Sequence, residues 1–462
     1  MQKPPPKGIV LLLTTIASFL TPFMGSAVNI ALPTISKEFG MNAVLLGWVP
    51  LAYMLAAAIF LVPIGRVADI WGRKKIFIIG IMVYTLASFL CALSVSGTML
   101  IGFRIIEGIG GSMIFGSGVA ILTSVFPPAE RGKALGINVA GVYSGLSLGP
   151  VLGGLFTQHL GWRSVYYFNI PLGLFILIFS FWKMRGEWAE AQGEKLDVPG
   201  AVFYGLALFA MMYGLSMLPN ILGIGLVVVG VSGLMFFIIW ESRAASPLID
   251  IKLFMANRAY AFSNLAALIN YSATSAVSFL LSLYLQYIKV LTPQGAGLIL
   301  IFQPVVMTVF SPMAGRISDK IEPRIVSSAG MALSVIGLVM LIFIGQKTPY
   351  GLIIAGLLVL GLGFALFSSP NTNAVMSSVE KKFYGVASGT LGTMRLVGQM
   401  SSMGVAMLVF ALFIGRVKIT PAYYHQFLQS VKFLFSIFAI LCFGGVFASL
   451  ARGKLRKGEG GQ

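Results

Sequence analysis

Apolar runs of about 20 residues recur from one end of this 462-residue chain to the other, which is the length a helix needs to cross the hydrocarbon of a bilayer. A soluble fold cannot absorb them. The chain is 57% hydrophobic and only 10% charged, whereas soluble domains carry about 25% charged residues, and a globule of this size still needs a polar surface. In lipid the backbone must satisfy its own hydrogen bonds, so the runs read as helices. The 54 glycines fit close helix–helix approach there. The pattern therefore predicts an all-α integral membrane protein whose principal partner is the lipid bilayer. Lys3 and Lys7 precede the first apolar run as they would in a signal peptide. That run continues to Leu32, too long for such a segment, and more spans follow.

Fourteen spans are predicted, at 9–32, 44–66, 75–95, 98–125, 132–157, 165–184, 199–218, 220–240, 259–287, 294–314, 325–345, 350–375, 384–415 and 428–451. With the N-terminus placed in the cytoplasm, 23 of the 32 Lys and Arg residues fall in cytoplasmic segments. Six fall outside (Lys37, Arg163, Lys289, Lys347, Arg416, Lys418) and three within spans (Arg104, Arg395, Lys432). This asymmetry predicts a multi-pass protein of the inner membrane with both termini cytoplasmic. It also accounts for the net charge of +18 without nucleic acid, since the basic residues form no domain of their own. Cys91 and Cys442 sit in apolar runs, and His159 and His425 have no ligand-spaced neighbours. Neither a metal site nor a nucleophile–base arrangement is expected, so the chain does not read as an enzyme.

Gly65-Arg66-Val67-Ala68-Asp69 recurs as Gly315-Arg316-Ile317-Ser318-Asp319, 250 residues later. Six helices with short connections take roughly 200 residues. The surplus matches two inserted helices. The predicted plan is a six-helix bundle at 1–185, a linker with two extra helices at 186–250, and a second six-helix bundle with a short tail at 251–462. Repeated halves with a site between them are a common transporter design.

Charges inside a bilayer are costly and functional by default. Of the fourteen acids, Glu107 alone lies well inside a span, three residues after Arg104 and so on the same helix face. The two sit roughly 9 Å (Arg104) and 13.5 Å (Glu107) below the outer end of their helix at 1.5 Å per residue. They read either as a self-neutralised structural pair or as a proton-sensing carboxylate tuned by its arginine. Arg395 has no acid near it in sequence; it faces a cavity or binds backbone carbonyls. Candidate lining residues are otherwise neutral: Asn29, Trp48, Tyr53, Tyr143, Asn264, Asn270, Tyr271, Gln303, Asn371, Asn373 and Gln399. Each can equally serve as an interhelical hydrogen bond.

Several motifs resemble the major facilitator superfamily, and its fourteen-helix drug/proton antiporter branch in particular. Gly65-Arg66-Val67-Ala68-Asp69-Ile70-Trp71-Gly72-Arg73-Lys74-Lys75 is similar to the first family signature, and Arg104-Ile105-Ile106-Glu107-Gly108 to the second. Gly145-Leu146-Ser147-Leu148-Gly149-Pro150-Val151-Leu152-Gly153-Gly154 resembles the antiporter signature; Trp162-Arg163 and Asn169-Ile170-Pro171 also resemble this branch. The resemblance implies a major facilitator fold and export of lipophilic small molecules in exchange for protons. It further implies a proton gradient as the energy source, no cofactor, and a monomer. It assigns Gly65, Asp69, Gly72, Arg73 and the repeat's Asp319 to an inner gate, with Asp69 facing the start of the thirteenth helix near Tyr384 and Gly385. It assigns Gly145, Gly149, Pro150, Gly153 and Gly154 to a bend that limits leak. Two residues depart from the pattern: Met24 stands where the branch usually has aspartate, and Glu107 where it most often has glutamine. The alternatives are a uniporter or symporter of a neutral or anionic metabolite, and a non-transporting receptor or scaffold.

Overall fold

The computed structural model describes residues 7–184, 186–189, 191, 193–244, 247–248, 251–380 and 384–453, with side chains described except at 128, 129, 132, 252, 319, 384 and 385. Fourteen of its helices are long and apolar enough to cross a membrane. They are α1 (Lys7–Phe39), α2 (Ala43–Trp71), α3 (Arg73–Ala92), α4 (Gly97–Val125), α5 (Lys133–His159), α6 (Arg163–Lys183) and α7 (Val198–Met217). The rest are α8 (Ile221–Glu241), α9 (Arg258–Ile288), α10 (Pro293–Ser318), α11 (Pro323–Ile342), α12 (Tyr350–Ser377), α13 (Val386–Phe413) and α14 (Pro421–Ala451).

Short polar connections start the helices. Side-chain oxygens of Asn42, Ser96, Asp197, Asn220, Asn257 and Thr292 accept backbone N–H groups at the starts of α2, α4, α7, α8, α9 and α10. Such caps replace bonds that the first helical turn lacks. Large apolar side chains point outward along the spans, among them Leu86, Ile178, Phe181, Val229 and Ile440. That is the arrangement expected when lipid, not water, is the outer solvent.

In the amino-terminal half α1 packs on α5, and α4 on both α2 and α3; in the other half α12 packs on α10 and α11, and α9 on α13 and α14. The inserted α7 touches both halves, since it packs on α2 and on α13. Tyr204 of α7 donates to the Ala58 carbonyl of α2 at 3.3 Å, and its Met212 lies against Gly404 of α13. α8 packs on α7 as the outermost layer.

The helices are longer than the apolar runs suggest, with α1 reaching Phe39. Three predicted continuous helices are also interrupted, α6 at Phe168 and two others. α9 breaks at Ser275 and Ala276 and ends in a π-helical turn, Tyr284–Ile288; α10 is broken at Ile301. None of these breaks contains a proline. The Ala276 N–H freed by the α9 break donates to the Ser402 hydroxyl of α13 at 3.0 Å, so tertiary contact sustains it. Ser402→Ala should lower stability by about 1 kcal/mol, since it orphans that N–H. A thermal-shift measurement in detergent checks this; an unchanged midpoint would show that the break holds without the bond.

Candidate functional site

The Arg104 and Glu107 side chains are 1% and 0% exposed, and they meet with Nη1 2.6 Å from Oε2. Ser88 of α3 donates to the other carboxylate oxygen at 2.8 Å. Arg104 Nε donates to the Val49 carbonyl of α2 at 3.2 Å, and its guanidinium lies 4.5 Å from the Tyr53 ring centre. Gly111, with no side chain, leaves room for the Tyr53 hydroxyl. The pair is thus enclosed by α2, α3 and α4, inside the amino-terminal half. Both carboxylate oxygens are hydrogen-bonded, and the net charge of the cluster is zero. Tyr53, placed by sequence in a neutral lining, belongs to this charged cluster.

The turn of the first signature is tighter than a loop. Asp69 occupies the last turn of α2 and Arg73 the first residue of α3, with only Gly72 between the helices, at φ +119°. Asp69 accepts from Arg73 at 2.7 and 2.8 Å, and Arg73 also donates to Ser124 of α4 at 2.6 Å. A second partner is the segment after α6. Glu187 accepts the N–H groups of Lys74 and Lys75 at 2.8 and 3.3 Å, capping α3 with a carboxylate. Its carboxyl carbon would lie 2.4 Å from a Cβ at position 72. Gly72 is therefore favoured by its φ, and Glu187 packs directly over it. Arg73 N–H donates to the Trp188 carbonyl, Ala191 N–H to the Asp69 carbonyl, and Arg66 pairs with Glu194. The segment is a strap across the α2–α3 corner, a role that its charges, read as topogenic, did not reveal. Gly65 has open space beside it. The side chains of Asp319, Tyr384 and Gly385 lie outside the described residues.

The α5 signature faces two ways. Cβ atoms at Gly145 and Gly153 would meet Phe19 and Ala27 of α1 at 2.5 and 2.7 Å, and one at Gly149 would collide with Ser26. Gly154 instead faces the other half: its Cβ would lie 2.5 Å from the Pro293 carbonyl of α10. One turn earlier the Pro150 carbonyl abuts Gly297. Further bonds join the halves at this end, remote from the termini. Gln286 donates to the Ile30 carbonyl at 2.9 Å, Ala43 to the Val417 carbonyl at 3.0 Å, and Gln294 lies 3.2 Å from His159. Nearer mid-depth Ser282 donates to the Asn29 carbonyl at 2.6 Å, and Ser147 and Thr308 are 3.2 Å apart. The halves are closed against each other at the end remote from the termini. There too, Glu38 accepts from Trp162 at 2.7 Å and pairs with Arg163 at 2.7 Å, fastening the start of α6 to the end of α1.

In the carboxyl half Arg395 donates to the Thr372 hydroxyl of α12 at 2.7 Å and lies 5.7 Å from the Tyr271 ring of α9. Its buried Nε has no partner. Tyr143 of α5 is half-buried. Asn29, Asn264, Asn270 and Asn371 are buried and retain unpartnered side-chain atoms, both of them in Asn270. Asn373 donates to Ser318 at 3.0 Å. Gln303 is buried and Gln399 half-buried. Trp48 turns toward the inserted α7, its ring 6.0 Å from that of Tyr213. Among the described residues no group of His, Cys, Asp and Glu could hold a metal ion.

A sequence model of the Major Facilitator Superfamily matches residues 14–242 and 264–460. The chain is 33% identical over 393 residues to the riboflavin transporter RibZ of Clostridioides difficile, covering 84% of this chain and 85% of that one. It is 30% identical to the multidrug resistance protein Stp of Mycobacterium tuberculosis, covering 86% and 75%. It is 32% identical to the cephamycin export protein CmcT of Amycolatopsis lactamdurans, covering 86% and 84%. Among solved structures, the peptide transporter POT in complex with sulfate superposes with a TM-score of 0.73 over 98% of this chain and 96% of that one, at 14% identity. A bacterial Spinster homologue in an inward-facing conformation superposes with 0.67 over 98% of both chains, at 16% identity. At such identities the two structures speak to the fold.

Proposed function

Because this chain belongs to the Major Facilitator Superfamily, whose members are secondary transporters working by alternating access, we propose that it exports lipophilic organic molecules in exchange for protons. Its halves, 1–185 and 251–462, would rock about a substrate site between them while residues 186–250 carry the two inserted helices. The observation that carries the proton reading is Glu107, among the described residues the one acid well inside a span, bonded to Arg104 at 2.6 Å. Separating a buried carboxylate from its guanidinium favours its protonated form. A rearrangement of α2, α3 and α4 can therefore couple proton uptake to the transport cycle. Relatives named for riboflavin transport, multidrug resistance and cephamycin export support an organic small molecule as cargo. The unpartnered atoms of Asn29, Asn270 and Asn371 support polar contacts along its path.

Purified protein in proteoliposomes with a pH-sensitive dye inside tests this reading. Addition of a transported compound from a panel should move protons in the opposite direction. Substrate flux without proton movement would make the protein a facilitator or couple it to another ion; absence of any flux would make it a receptor or scaffold.

The charge asymmetry supports an inner-membrane location with both termini on the cytoplasmic side. A single cysteine introduced at Asn220, in the connection between α7 and α8, should then be labelled by an impermeant maleimide added from outside intact cells. Labelling only from the cytoplasmic side would overturn this topology.

Asp69→Asn removes the charge from the α2–α3 corner while keeping its size. Contacts of this kind are worth about 0.3–2 kcal/mol, enough to shift a balanced two-state equilibrium severalfold. Transport should fall severalfold with expression largely retained. Unchanged transport, together with unchanged accessibility of cysteines at the cytoplasmic end, would reduce the corner to a structural turn.

A further inference from the structure

Arg395 sits nine residues into α13, about 13.5 Å from its start at 1.5 Å per residue. An arginine has five N–H donors and cannot shed its charge. Here Nη2 binds the Thr372 hydroxyl, and Nε is buried without a partner. No ion pair among the described residues includes Arg395, whereas Arg104 is neutralised by Glu107. Arg395 is thus a half-buried cation within a span that no described carboxylate neutralises. Structural economy does not account for it, because an unpaired charge in a membrane interior is among the costliest groups to keep. The surroundings are aromatic: Tyr271 lies under the guanidinium, and Phe364 meets Tyr271 edge-on at 5.4 Å. α13 packs on α2 of the opposite half, and Gly392, three residues before Arg395, faces Leu61 of α2, so the cation lies beside the junction of the halves.

We propose that Arg395 is the anion-binding point of the substrate site, and that the transported compounds are organic anions with an aromatic body. The anionic group docks on the guanidinium and completes its hydrogen bonds, while the ring system packs against Tyr271. The inference rests on the transport reading only in requiring that a substrate pass between the halves; it is independent of proton coupling.

Two dyes that share a xanthene scaffold but differ in charge provide the test: fluorescein, an anion, and tetramethylrhodamine methyl ester, a cation. Binding to the purified wild-type protein is followed by fluorescence anisotropy, and uptake is followed in proteoliposomes. Wild type should bind fluorescein at least about tenfold more tightly than the cation, the scale of one charge-assisted hydrogen bond. Arg395→Gln should remove that preference by weakening anion binding alone, and Arg395→Lys should keep its direction. Equal binding, a preference for the cation, or no binding of the anion would overturn the proposal. So would equal loss of both dyes in Arg395→Gln with the wild-type preference retained in the residual binding, because that marks a structural role. Replacing gluconate buffer by chloride should leave fluorescein binding unchanged; competition by chloride would make this a halide site and overturn the organic-anion assignment. The two readings fail separately. Arg395-dependent fluorescein uptake that a pH gradient cannot drive uphill removes the proton and keeps the anion. Gradient-driven uptake of the cation alone does the reverse.

Discussion

Reconstituted Glu107→Gln protein is expected to bind its substrate yet fail to accumulate it against a gradient when a pH difference is imposed. The amide keeps the shape of the carboxylate and can still accept the hydroxyl of Ser88, which now donates at 2.8 Å. It cannot bind and release a proton. Accumulation should fall more than about tenfold, since the coupling ion no longer has a deep site. Downhill exchange should persist. The substitution also leaves Arg104 buried without its counter-charge, so some loss of expression is expected; removing one member of a buried pair typically costs about 3–5 kcal/mol. Ser88→Ala supplies a second reading that keeps the pair. It should change the pH at which transport is half-maximal without abolishing coupling. Intact proton-driven accumulation in Glu107→Gln would remove Glu107 from the coupling step. Because Glu107 is 0% exposed here, its exchange with water belongs to a different arrangement of α2, α3 and α4.

The second large effect is expected from Gly154→Leu. A Cβ at this position would lie 2.5 Å from the Pro293 carbonyl and 2.9 Å from the Gln294 Cα, both backbone atoms that cannot swing aside. Overpacking of this kind costs about 1–3 kcal/mol. The clash lies between the halves, so the strain falls on the closed far end and not on either bundle. Cysteines introduced near Asn29 should become more reactive to impermeant reagents added from outside, and transport should drop about tenfold or more. Gly153→Leu makes the contrast, because its neighbour is Ala27 within the same half. That variant should lose expression rather than shift access. Unchanged outside reactivity in Gly154→Leu would mean that α5 and α10 do not hold the far end shut.

The spans were legible because hydropathy alone specifies where a chain can enter lipid. The Arg104–Glu107 contact was legible too, because a spacing of three on a helix forces proximity. Legibility ended where the determinant was a distant partner. The break in α9 depends on Ser402, more than a hundred residues away, and no proline or glycine marks it. The strap formed by Glu187, Trp188, Ala191 and Glu194 reads in sequence as an ordinary charged linker; only the neighbouring α3 start gives Glu187 its function as a cap. Helical spacing correctly grouped Gly145, Gly149 and Gly153, yet it could not say that Gly154, one position around the helix, meets the other half. Trp48 and Tyr53 shared a helix with plausible lining positions, and their neighbours, Tyr213 and Arg104, moved them elsewhere.

The position of α7 makes the two sides of the molecule unequal. A two-bundle architecture has a seam on each flank where its halves adjoin, here α2 with α13 and α5 with α10. The first is overlaid by α7, with Tyr204 bonded to α2 and Met212 against α13, and α8 adds a further layer. The second has no such cover among the described residues. A solute dissolved in the hydrocarbon and entering sideways from a leaflet would find a double wall on one flank and a single seam on the other. The inserted pair thus gives the molecule a handedness with respect to the surrounding lipid, with the flank bearing Pro150 and Gly297 sealed by the α5–α10 contact alone.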